Sequence, residues 1–238
     1  MAAIYSIDGN IGSGKSRLIS ELKKNNNFVN NVIFVQEPVN IWNEIKDKTG
    51  KTILEYFYED KEKYSFSFQI MAYISRLAQL KKIIKENPKS ILITERSTHT
   101  DRQVFAKMLH DDQLISDIDM KIYLMWFDEF MKDIPIKGII YVRTKPSKCF
   151  ERVKKRNRKG EEEIPLSYLE KCNHYHESWL FDEENILILN GNQEYQEDNK
   201  LINAWTVLIK NFIKEKRNRV PSDEEYPGGI HADGMPIF

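Results

Sequence analysis

The sequence predicts an α/β fold: three layers, with a five-stranded parallel sheet flanked by helices. Three observations predict it. Short, continuous apolar runs rich in Ile and Val recur along the chain, as strands buried on both faces require. Helical patterns separate those runs, so successive strands are joined by crossovers and lie parallel. Between the first run and the first helical pattern stands Gly9-Asn10-Ile11-Gly12-Ser13-Gly14-Lys15-Ser16, a complete phosphate-binding loop in the strand–loop–helix context that gives such a motif its meaning.

The elements follow in order. The first strand is Ile4–Ile7. Gly9 and Gly14 then allow backbone conformations that a Cβ resists. Successive N–H groups turn inward around an anion, helped by the positive end of the next helix, which carries Leu18, Ile19 and Leu22. Lys15 reaches the β- and γ-phosphates, and the Ser16 hydroxyl can ligand Mg²⁺. These features make the fold one of the P-loop NTPase type. The second strand is Val32–Val35, and the longest helix runs from about Lys61 to Lys85, ended by Pro88. Ile91–Ile93, Ile139–Val142 and Ile186–Leu189 complete the sheet. Residues 1–219 read as one domain without repeat or linker. From Val220 on, Pro221, Pro227, Gly228, Gly229, Gly234 and Pro236 predict an extended tail, or an arm that docks on a neighbour.

Composition narrows the function. Lys and Arg number 36, as do Asp and Glu, so the whole-molecule field favours neither nucleic acid nor membrane. No apolar run approaches the roughly eighteen residues of a membrane span. The loop beginning at Gly9 predicts that no cleaved leader precedes it. Cys149 and Cys172 lack metal-site spacing and read as buried thiols in a reducing cytoplasmic or nuclear compartment. The five histidines form no ligand cluster, and no Ser/His/Asp context occurs.

Ligands of parallel sheets bind at the strands' carboxyl ends. Glu37 ends the second strand before Pro38, with Trp42 close by. It reads either as a base for an attacking hydroxyl or as a solvated strand-end carboxylate. Glu95-Arg96-Ser97 ends the third strand, with Asp101 following. Glu95 suits Mg²⁺, and Arg96 a carboxylate or phosphate, unless the two form a structural ion pair. Gln69 and Arg76 lie seven residues apart on the long helix, on one face with Tyr73, just after Phe57, Tyr58, Phe66 and Phe68. That pattern fits a slot for a flat base, and equally an aromatic core with two polar residues outward. Arg152, Arg156 and Arg158 fit a flap over phosphates or a solvated charged helix. The acidic run Glu161-Glu162-Glu163 argues against a nucleic-acid patch.

Taken together, the segments resemble the deoxynucleoside kinase family, its deoxycytidine/deoxyguanosine type in particular, from about Ile4 to Phe212. The matching pieces are Asp8 through Ser16, Glu37-Pro38-Val39 with Trp42, Phe57-Tyr58-Glu59, Ser65 through Gln69, and Ser75-Arg76. Glu95-Arg96-Ser97, Asp101-Arg102, Ile139-Ile140-Tyr141, Ile164-Pro165-Leu166, Tyr168 through Lys171 and His176 through Leu180 complete the set. The resemblance implies ATP as phosphate donor, Mg²⁺, a small deoxynucleoside acceptor and a homodimer. It makes Glu37 the base for the substrate 5′-hydroxyl, with Arg96 holding that carboxylate in register. Lys15 and the flap arginines Arg152, Arg156 and Arg158 answer the phosphate charge, and Glu95 with Ser16 holds the metal. Gln69 becomes the base reader, with Arg76 and Asp101 a paired second reader. Tyr58 and Glu161 contact the sugar 3′-hydroxyl, and Trp42, Phe68 and Phe105 wall the pocket.

Thymidine-favouring members of the family are apolar at the positions of Arg76 and Asp101, and Ala72 matches the deoxycytidine-type choice. The resemblance therefore implies deoxycytidine, with deoxyadenosine and deoxyguanosine as further acceptors. Arg17, Asn190-Gly191-Asn192 and Glu162-Glu163 depart from the family pattern. A broad-specificity or thymidine-accepting deoxynucleoside kinase is the alternative within the family, and a nucleoside monophosphate kinase such as a thymidylate kinase is the near alternative outside it. A switch GTPase is the distant one, and the guanine-reading Asn-Lys-x-Asp motif is missing.

Overall fold

The computed structural model describes residues 2–24, 28–158, 161, 164–181, 183–193 and 200–218. The tail expected from Val220 on lies outside them, as do Glu162 and Glu163. The five strands are β1 (Ala3–Asp8), β2 (Val32–Val35), β3 (Ile91–Glu95), β4 (Ile136–Arg143) and β5 (Ile186–Asn190). All are parallel, in the order β2-β3-β1-β4-β5. Each expected strand is present. β3 and β4 extend beyond the apolar runs, because Thr94, Glu95 and Arg143 keep the ladder although their side chains are polar.

The helices are α1 (Lys15–Lys24), α2 (Val39–Glu44), α3 (Ile53–Glu59), α4 (Lys61–Glu86) and α5 (Thr98–Thr100). After a π-helical turn (Asp101–Ala106) come α6 (Lys107–Asp111), α7 (Asp117–Met131), α8 (Pro146–Arg156), α9 (Leu166–Leu180) and α10 (Lys200–Asn218). Side chains alternate across β1. Tyr5 and Ile7 pack with Leu18, Ile19 and Leu22 of α1 and with Ile209 and Phe212 of α10. Ile4 packs the other way, with Tyr73 and Leu77 of α4 and with Tyr123 and Phe127 of α7. These are the two outer layers of the three-layer fold.

Local chemistry sets the helix ends near the site. Thr52 and Glu55 form a reciprocal capping box that starts α3. Asp60 caps α4 by accepting from the Lys63 amide. Asn157 closes α8 in the left-handed conformation, a place Asn tolerates better than most residues. The strand order matters most: β2, β3 and β1 are neighbours, so Glu37, Glu95-Arg96 and Gly9 emerge side by side at the carboxyl ends of the strands. Among the described residues, no helix is long and apolar enough to cross a membrane, and Cys149 and Cys172 are both free and buried.

Candidate active site

A cavity of about 530 Å³ opens at those strand ends, within the size range of small-ligand pockets. Against one side of it lies the Gly9–Ser16 loop. Gly12 has φ +78°, and a Cβ there would stand 2.5 Å from the Cys149 carbonyl oxygen of α8. Gly9 is similarly confined, with the Val142 carbonyl oxygen 2.7 Å from its would-be Cβ. The loop therefore lies tight against β4 and α8. Ile11, Gly12, Gly14, Lys15 and Ser16 line the cavity, whereas Gly9, Asn10 and Ser13, also expected as phosphate contacts, do not. The Asn10 amide instead donates to the Leu169 carbonyl of α9 at 2.8 Å, a tether between the loop and that helix.

The Lys15 ammonium donates to the carbonyl oxygens of Gly9 at 2.9 Å and Asn10 at 2.7 Å, and to the Ser13 hydroxyl at 3.5 Å. Burial, aided by Arg96, draws its pKa down to about 7, against the opposing pull of Glu37 and Glu95. A polyanion at the loop reverses that balance. The Ser16 hydroxyl donates directly to the Glu95 carboxylate. One hydroxyl and one carboxylate are the sparse oxygen set suited to Mg²⁺, which takes its remaining ligands from phosphates and water. Among the described residues no cluster of three His, Cys, Asp or Glu side chains offers an all-protein cage.

Elsewhere in the cavity lining, Glu37 Oε1 accepts from Arg76 Nη2 at 3.0 Å and from Arg96 Nε at 3.1 Å. Burial works to raise the Glu37 carboxyl, but Arg96, Arg76 and Lys15 overcome it and hold the group at about 2. Arg96 also donates from Nη1 to the Gly9 carbonyl at 3.1 Å and lies 4.8 Å from the centroid of the Phe105 ring. Its φ is +66°, a left-handed backbone that an unbranched but long side chain adopts at a cost of roughly 1–3 kcal/mol. Strain of this kind aims the guanidinium back across the strand ends.

Arg76 is more connected than its sequence position implies. Beyond Glu37 it donates from Nε to Asp101 Oδ2 at 2.9 Å, from Nη2 to Asp101 Oδ1 at 3.3 Å, and from Nη1 to the Glu95 carbonyl at 3.0 Å. Asp101 opens the π-helical turn that also presents Phe105. A π turn in a helix commonly marks a functional position, and here it brings both side chains into the cavity wall. Gln69 lines the same wall at 2% exposure. Phe57 and Phe68 stack at 4.5 Å with Trp42 edge-on to Phe68 at 5.8 Å, so flat aromatic faces share the cavity wall with Gln69, Arg76 and Asp101. Two expectations need correction. Tyr73 turns away from the cavity and donates its hydroxyl to the Trp126 carbonyl of α7, because the cavity-facing positions of α4 are Gln69, Ala72 and Arg76. Phe66 likewise packs in the core between α4 and its neighbours.

The arginine-rich segment begins inside α8. Arg152 donates to the carbonyl oxygens of Ser13 at 3.2 Å, Gly191 at 2.9 Å and Gln193 at 3.4 Å, fastening the phosphate loop to the loop after β5. Arg156 and Arg158 both pair with the buried Glu161 carboxylate. All four residues line the cavity, as does Tyr58. A carboxylate expected at the sugar thus also holds two arginines expected at the phosphates.

This geometry coincides with a family match. The sequence profile described as deoxynucleoside kinase matches residues 5–214. The chain belongs to the deoxynucleoside kinase family. It is 34% identical to deoxycytidine kinase 1 of Xenopus laevis, over 87% of this chain and 89% of that one. It is also 34% identical to the probable deoxycytidine kinase of fowlpox virus, over 88% of each chain. Identity is 30% to the mitochondrial deoxyguanosine kinase of Xenopus laevis, over 87% and 88% of the two chains. A deoxynucleoside kinase is a phosphotransferase, and this membership sets aside the monophosphate-kinase and GTPase readings.

Sequence reasoning missed several parts of this kinase site. Val39, Leu54 and Tyr168 also line the cavity. Tyr168 flanks the buried stripe Leu169, Cys172 and His176 of α9, a periodicity that could have marked it. Asp8, fully buried beneath the loop, accepts from the Ser97 amide at 3.1 Å and from the Thr100 and Ser6 hydroxyls, clamping the ends of β1 and β3 together. Its position one residue before Gly9 was the available signal.

Proposed function

We propose that this kinase transfers the γ-phosphate of ATP to the 5′-hydroxyl of a deoxynucleoside, with deoxycytidine favoured and deoxyadenosine and deoxyguanosine as further acceptors. The observation that carries the base preference is the buried, two-point Arg76–Asp101 pair beside Gln69 in the cavity wall. Gln69 offers a donor and an acceptor to a base edge, and the charged pair crowds the thymine methyl. Phosphoryl transfer needs positioning and charge stabilisation more than covalent help. Glu37 accepts the 5′-hydroxyl proton late, so a weakly basic carboxylate suffices. Arg96 fixes its orientation. Lys15, Arg152, Arg156 and Arg158 face the transferring phosphates, and Tyr58 with Glu161 holds the sugar 3′-hydroxyl. Ser16 and Glu95 would hold Mg²⁺, which when bound neutralises phosphate charge. Purified protein with ATP and Mg²⁺, assayed against the four deoxynucleosides, should give its highest kcat/KM with deoxycytidine. Thymidine matching or exceeding it overturns the preference.

We further propose a homodimer through α7. Ile118, Ile122, Met125 and Trp126 recur along one exposed stripe of that helix, 71%, 38%, 64% and 42% accessible. An apolar stripe of this width on a solvent face favours association. Met125→Glu should shift sedimentation from dimer to monomer. A wild-type chain that sediments as a monomer at micromolar concentration refutes the dimer.

A further inference from the structure

Lys61 occupies the first position of α4, directly after the Asp60 cap. A cation there opposes the helix dipole, which favours acidic residues such as Glu62 in the first turn. Its surroundings supply a different reason for a lysine. Nζ lies 5.6 Å from the ring centroid of Tyr168, 5.7 Å from that of Tyr58 and 6.0 Å from that of Phe57. All three rings lie within the reach of a cation–π attraction, and all three line the cavity. They come from two elements far apart in sequence: Phe57 and Tyr58 from α3, Tyr168 from α9. Tyr58 and Tyr168 meet edge to face at 6.5 Å. Burial lowers the Lys61 pKa, so the ammonium gives up hydration to sit among the rings. Burial, and after it the nearby Glu161 carboxylate, raises the Tyr58 phenol pKa.

A cation against the face of a phenol draws electron density from the ring, which makes the hydroxyl a stronger hydrogen-bond donor. It also holds α3 and α9 at a fixed separation across the sugar end of the cavity. We infer that Lys61 is a positioning residue that sets the preference for acceptors carrying a 3′-hydroxyl, acting through Tyr58 and Tyr168. The inference rests on the reading of Tyr58 and Glu161 as the 3′-hydroxyl contacts.

The test compares kcat/KM for the best-accepted deoxynucleoside with that for its 2′,3′-dideoxy counterpart. The proteins are the wild type, Lys61→Met, Lys61→Arg and Tyr58→Phe. Lys61→Met should narrow the preference for the 3′-hydroxyl about two- to fivefold, chiefly through a higher KM for the deoxynucleoside. Lys61→Arg, which keeps a cation over the rings, should retain it. If Tyr58→Phe narrows the preference and Lys61→Met does not, the role of Lys61 is overturned while the 3′-hydroxyl reading stands. If Lys61→Met slows both acceptors equally, its role is general scaffolding and the proposal fails. If Tyr58→Phe leaves the preference intact, the sugar reading itself fails, and the inference with it.

Discussion

Glu37→Gln is expected to lower kcat by about 10²–10⁴-fold, the usual contribution of a positioned general base, while KM for the deoxynucleoside changes far less. Gln keeps the shape and one oxygen for Arg96 and Arg76, so the acceptor can still bind. It cannot take the 5′-hydroxyl proton. Full turnover by the variant would remove Glu37 from the mechanism. The pH dependence carries a second check. The wild-type carboxyl is held at about 2 by Arg96, Arg76 and Lys15 against the upward pull of burial. In the free enzyme Glu37 thus stays ionised throughout the neutral and mildly acid range. The acid limb of kcat/KM should show no Glu37 ionisation above about pH 4. The sign for stability is the same as for other depressed carboxyls. The contribution is fully present above the ordinary value of 4.5 and is lost as pH falls through about 2.

Arg76→Met combined with Asp101→Ala is expected to invert base preference, raising the thymidine to deoxycytidine ratio of kcat/KM by an order of magnitude or more, roughly the discrimination a hydrogen-bonding site loses with its polar groups. The two changes belong together. Arg76→Met alone strands the buried Asp101 charge, at a cost of about 3–5 kcal/mol, and should be the less stable protein in thermal melts. The structure adds a condition that the sequence pattern did not contain. Arg76 also donates to Glu37 and to the Glu95 carbonyl. The double variant should therefore gain thymidine at a reduced absolute kcat on every acceptor. A variant that still prefers deoxycytidine over thymidine would show that the pair is not the selector.

The sheet was legible because its strands are buried on both faces and so read as unbroken apolar runs. Even the interruption at Thr94 and Glu95 did not hide β3. Individual positions at strand ends were legible for the same reason: Glu37, Glu95 and Arg96 are polar residues at the points where those runs stop. What stayed hidden depends on geometry that no local pattern encodes. Arg76 serves Asp101, Glu37 and Glu95 at once because strand order places β2 next to β3 under α4. The positive φ of Arg96 and the π turn at Asp101 are imposed by tertiary packing, and neither residue type announces them. Tyr73 shares a broad helical face with Gln69 and Arg76, yet lies on the flank that α7 claims. Arg152 could not be separated from its flap neighbours by sequence, since its partners are backbone carbonyls from two remote loops.

The Gly9 carbonyl oxygen accepts both Lys15 at 2.9 Å and Arg96 at 3.1 Å. A single main-chain atom is thus common property of the loop lysine and the arginine that orients Glu37. Donor and acceptor halves consequently do not behave as interchangeable modules. A phosphate loop transplanted from a nucleotide switch would bring an equivalent lysine, but any shift of this one oxygen would unsettle Arg96 and, through it, the Glu37 carboxylate. Remodelling the enzyme for a new donor has to be judged by what it does to the acceptor.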